Sequence, residues 1–111
     1  MKPQSALVAL CLVAAVNIAL AADDDVSAND GRARDLAATC AGCHGTDGRS
    51  VGGFSPLAGV PRDALLHGLR AFRDGTRPAT VMRQLMLGYT DDELELIAGY
   101  FARRESRAAG R

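Results

Sequence analysis

Cys40-Ala41-Gly42-Cys43-His44 constrains this chain more than any other stretch. Thiols at i and i+3 followed at once by an imidazole form the attachment signature of a c-type haem. The two sulfurs reach two vinyl groups of the porphyrin, and the His stands beneath the iron. Two other chemistries use a Cys-x-x-Cys pair. A redox dithiol belongs in a βαβ setting, and the sequence around the run has no strand pattern. A structural zinc ion needs four ligands. Outside the run the only Cys is Cys11 and the only His is His67, and Cys11 falls in a segment with the marks of a removable leader.

That leader begins with Lys2, continues through an apolar stretch from Ala6 to Leu20, and ends in Ala19-Leu20-Ala21, the small-x-small pattern of a signal peptidase site. The stretch is short of the roughly 20 residues that span a bilayer, which disfavours the competing reading of an uncleaved anchor. Residues 1–21 are therefore expected to be a signal peptide, cleaved near Ala21. Removing 21 of 111 residues leaves 90, enough for one small domain but marginal for a self-sufficient core. A buried haem supplies apolar bulk to such a chain. Lys2 leaves with the leader, so 12 of the 13 basic residues remain, all Arg, against 13 acidic ones. That balance provides no basic field to hold a nucleic acid or an anionic membrane surface.

Residues 22–29 are polar and acidic and read as a disordered lead-in. Asp30 is placed to cap a helix whose apolar positions Ala33, Leu36, Ala37 and Cys40 fall at i, i+3, i+4 and i+7, ending at the haem run. Glycines at 45, 48, 52, 53 and 59 dominate the next segment, which suits backbone curling closely over a flat macrocycle. Pro61 fits the first turn of a second helix with Leu65, Leu69 and Phe72 on one face and Gly75 as its stop. His67 falls on the outward face as a solvated side chain. Arg77-Pro78-Ala79 breaks that helix, and Thr80 starts a short third one through Leu87. Thr90-Asp91-Asp92-Glu93 is a capping box for a last helix with the stripe Leu94, Ile97, Ala98 and Phe101. Residues 30–105 thus form one all-α domain of four short helices around one haem, and residues 106–111 a flexible tail.

A haem iron held by one His is open to small ligands, whereas a sulfur on the other face closes the site and favours electron transfer. Met82 and Met86 are the two candidates in the mature chain, one helical turn apart. Either could serve instead as core filler, and Met82 is favoured as the ligand because it stands where the chain turns inward after Pro78. Phe54, Leu57, Leu69 and Tyr89 are candidate pocket walls.

The haem run, Leu57-Ala58-Gly59, Met82 and the Thr90–Phe101 helix together resemble a class I cytochrome c of the small bacterial sort. The resemblance covers about residues 31–103. It implies covalent haem c, thioethers to Cys40 and Cys43, iron ligation by His44 and Met82, a close crossing of first and last helices at Ala33, Ala37 and Gly99, and a periplasmic location. A narrower resemblance, in Ala37-Ala38-Thr39, Ala79–Gln84 and Gly88–Glu93, is to the cytochrome subunits of flavocytochrome c sulfide dehydrogenases. It implies an FAD-containing flavoprotein partner; a free-standing electron carrier is the alternative. In the wider family a Pro two residues before the Leu supplies the carbonyl that meets the proximal His. Here Ser55 holds that place and Pro56 follows, leaving the acceptor of His44 open.

Overall fold

The structure, a computed structural model, describes residues 26–105, all helical or irregular with no strand among them. The expected signal peptide, Cys11 and the tail from 106 lie outside the described residues. Helix α1 runs through residues 26–38. A turn at 39–40 leads to α2, Ala41–His44, and a 3-10 turn at Thr46–Gly48 follows. Beyond an irregular loop come α3 (Arg62–Asp74), α4 (Val81–Met86) and α5 (Asp91–Ala102). None of the described helices is long and apolar enough to cross a membrane.

Two expectations about the start of the domain are corrected. Residues 26–29 are already helical, so they are not a disordered lead-in, and Asp30 lies inside α1 rather than capping it. Its carboxylate instead accepts from Arg103 Nη2 at 2.8 Å. That contact ties α1 to the end of α5. The count of four helices is also short by one, because the haem run forms its own turn instead of ending the first helix.

The core is a single cluster. Ala33 and Ala37 from α1, Leu65, Leu66 and Leu69 from α3, Met86 from α4, and Leu94, Ile97, Ala98 and Phe101 from α5 are all buried together. Helix α5 buries the stripe its periodicity specified, whereas in α1 and α3 the expected Leu36 and Phe72 are only partly buried and Leu66 joins the core in addition. Asp30 and Arg32 are near neighbours on α1, yet their partners Arg103 and Glu93 sit at opposite ends of α5, about 15 Å apart by helical rise. Helix α1 therefore runs across α5. The crossing is not built on Gly99 as expected. A side chain there would meet the guanidinium groups of Arg103 and Arg62, not an alanine of α1.

Local signals set the helix ends. Pro61 is the N-cap of α3, one position earlier than expected, and its carbonyl accepts from Leu65 N. Gly75 closes α3 in the left-handed region at φ 79°. In the capping box of α5, Thr90 Oγ1 accepts from Glu93 N at 3.3 Å and Glu93 Oε2 accepts from Thr90 N at 2.9 Å.

Helices α3 and α5 are joined outside the core by charge. Arg70 donates through both Nε and Nη2 to Asp91, and Arg73 Nη2 donates to the same carboxylate at 3.1 Å. The Arg70 hydrogen bonds come first among the causes that hold the Asp91 carboxyl at about 2, below its ordinary 3.8. A carboxyl depressed on folding stabilises the folded state above its unfolded value and loses that contribution as pH falls through the folded one. Stability is therefore expected to fall between about pH 4 and pH 2, and Arg70→Gln to flatten that decline, as followed by chemical denaturation at stepped pH.

Candidate haem site

Helix α2 is one turn. His44 N and Cys43 N both reach Cys40 O, at 2.9 and 3.3 Å, so the turn presents both thiols and the imidazole from a single rigid segment. Cys40 is partly buried, Cys43 is exposed, and the two are not bridged. Burial pushes the Cys40 thiol up. The Cys40 sulfur is thus held as a neutral thiol. Gly45 ends the turn at φ 81°, with Arg49 and Ser50 backbone 3.2 Å from where a Cβ would stand.

The acceptor of His44 is the carbonyl of Ser55, 2.6 Å from Nδ1. A carbonyl can only accept, so Nδ1 carries the proton and the lone pair stays on Nε2. The tautomer that leaves Nε2 free to ligate a metal is therefore fixed by main chain. Ser55 does this from the position where the wider pattern has Pro, because the loop's backbone path, not its side chain, places the oxygen. The Phe54 ring stands edge-on to the imidazole at 6.0 Å.

The two methionines separate clearly. Met86 is 2 % exposed and packed in the core, whereas Met82 lies partly exposed against its edge. Of the expected pocket walls, Leu69 is buried, Leu57 and Tyr89 are half-buried, and Phe54 is 54 % exposed. His67 is exposed, as expected. The donor chemistry fits a covalently held haem: two unbridged thiols, an imidazole with its lone pair on Nε2, and a partly buried methionine on a separate helix.

Several supporting residues escape a reading by motif. Thr39 Oγ1 donates to Leu36 O at 3.2 Å, so the Tyr89 hydroxyl 2.7 Å away must be the donor to Thr39. That bond joins the residue before Cys40 to the approach to α5. Gly48 is buried at φ 73°, and its carbonyl accepts from Leu57 N and Ala58 N. Gly59 N donates to Phe101 O at 3.0 Å. The glycine density of 45–59 hinted at such close approaches without saying which glycine makes them.

The family profile described as Cytochrome c matches residues 28–103. The cytochrome subunit of sulfide dehydrogenase from Chlorobaculum tepidum is 40 % identical over 72 residues, 65 % of this chain and 66 % of the relative. A thiosulfate dehydrogenase electron acceptor from Stutzerimonas stutzeri is 39 % identical over 64 % of this chain, but over only 35 % of its own length. Cytochrome c-554(548) from Halomonas halodenitrificans is 35 % identical over 64 % of this chain and 90 % of its own. The chain thus spans just under two thirds of the first relative and about a third of the second. Cytochromes c bind covalent haem c, and Cys40, Cys43 and His44 fit the Cys-x-x-Cys-His motif that holds it. With that match across nearly all of the described residues, this chain belongs to the cytochrome c family.

Proposed function

We propose that this chain is a periplasmic monohaem electron carrier and the haem subunit of a sulfide-oxidising complex. The observation that carries the reading is the Nδ1–Ser55 carbonyl bond, which leaves the lone pair of His44 Nε2 free to ligate iron. Cys40 and Cys43 would form the thioethers, and Met82 would supply a sulfur ligand to the iron, since Met86 is committed to the core. When bound, the haem supplies a one-electron couple, and a thioether raises its potential relative to a second nitrogen ligand. The residues around it orient His44, exclude water and present one edge to a partner. The chain is a carrier and leaves substrate chemistry to a dehydrogenase subunit.

Similarity to the Chlorobaculum subunit favours an FAD-containing flavoprotein partner. Coverage of nearly all of cytochrome c-554(548) favours a second reading, a free-standing carrier. Affinity purification of the chain from its own periplasm distinguishes them. The first reading predicts a stoichiometric FAD-containing chain and reduction of the haem by sulfide. A lone cytochrome that sulfide does not reduce through any associated chain would contradict it.

A further inference from the structure

We propose that Tyr100 is a positioning residue for His44, acting through its hydrogen bond to Asp47 on the loop that carries the Ser55 carbonyl. This rests on the assignment of His44 as iron ligand. The Tyr100 hydroxyl donates to Asp47 Oδ1 at 2.8 Å across 53 residues of sequence. Asp47 is three positions after His44 and is the only non-glycine residue with positive φ among those described, at 54°. A residue held in that region at a local cost points to a constraint supplied from elsewhere.

The constraint comes from two consecutive residues of α5. Tyr100 holds the near end of the loop through Asp47, and Phe101 holds the far end by accepting from Gly59 N. Between these anchors the Gly48 carbonyl closes the loop on Leu57 N and Ala58 N. Ser55, whose oxygen meets His44, sits inside the closed segment, where all residues from Val51 to Pro56 are exposed. The loop has little packing of its own, so its anchors set where that oxygen lies. Tyr100 is buried, its ring stacked under the Arg104 guanidinium at 4.4 Å. The bond to the Asp47 carboxylate, followed by burial, holds its hydroxyl above the usual phenol range, so it remains a donor through neutral pH.

The test is solvent exchange of the His44 Nδ1 proton, followed by NMR on nitrogen-labelled reduced holoprotein. Tyr100→Phe and Asp47→Gly each remove the bond, the glycine without strain at positive φ. Each is expected to speed exchange roughly tenfold, the equilibrium effect of losing one charge-assisted hydrogen bond. The double variant is expected to be no faster than either single one. Asp47→Asn, which keeps both an acceptor oxygen and tolerance of this backbone region, is expected to stay near wild type. Arg103→Gln serves as control, because it cuts the Asp30 pair at the same end of α5 without touching the loop. Unchanged exchange in Tyr100→Phe, or equal acceleration in Arg103→Gln, would overturn the proposal. Ring-current displacement of the His44 resonances reports ligation independently; its absence would overturn the ligand assignment and this inference with it.

Discussion

Replacing Gly48 with alanine is expected to destabilise the protein by about 2–4 kcal/mol, measured from denaturant midpoints at constant slope. Two costs add. The backbone is at φ 73°, which an L side chain adopts at about 1 kcal/mol. The new Cβ would also stand 2.8 Å from Phe101 Cδ1, 2.9 Å from Leu57 Cβ and 3.0 Å from Ala58 N. Phe101 is a core side chain and Ala58 N is main chain, so neither can yield cheaply. Gly53 provides the comparison. It has φ 85°, and a Cβ added there would have nothing within 4 Å, so Gly53→Ala is expected to show only the backbone share. Equal effects at the two positions would show that close packing of the loop against α5 is not what holds it.

Met82→Leu is expected to abolish the near-infrared thioether-to-iron absorbance of the oxidised protein and to lower its reduction potential. Met86→Leu is expected to leave both in place. The two side chains have the same donor atom and sit on the same short helix, but Met86 is buried in the core while Met82 is only partly buried at its edge. Truncating Met86 to alanine is instead a core deletion, with an expected cost of roughly 2–5 kcal/mol and the absorbance band retained. Loss of the band in the Met86 variant with retention in Met82→Leu would reverse the assignment. Absence of the band from the unmutated protein would remove sulfur from the iron altogether.

Much of the architecture was legible because it rests on local chemistry. The Thr90–Glu93 box is a reciprocal pair of hydrogen bonds within four residues, and the stripe behind it names its own buried face. The Pro61–Gly75 bracket around α3 is equally local. Asp30 misled because its side chain type suits a cap, while a partner far along the chain, Arg103, was available to it inside the helix. The first helix therefore begins earlier than its most obvious signal. Gly99 misled in the opposite way, since a small residue on a helix invites a close helix crossing and here accommodates arginine side chains.

The site divides along the same line. Cys40, Cys43 and His44 are adjacent in sequence and needed no tertiary information. Met82 was preferred to Met86 from its place after Pro78 and from the family resemblance, and the two differ in the fold by burial. The acceptor of His44 was illegible. Any carbonyl in the loop was chemically equivalent, and the closure of that loop by Gly48 and Gly59 selects Ser55. Asp47 and Tyr100 carry no motif at all, and their pairing exists only once α5 lies beside the loop.

Electron transfer by this chain requires a haem joined to Cys40 and Cys43 and ligated by His44. Its plainest check is the mass of the exported, purified protein after extraction with acidified organic solvent. A coloured protein whose mass exceeds the mature polypeptide by one haem is expected, with Cys40→Ser combined with Cys43→Ser yielding polypeptide mass alone. Colour that passes into the solvent, or a wild-type mass equal to the bare chain, would contradict the covalent attachment and everything built on it.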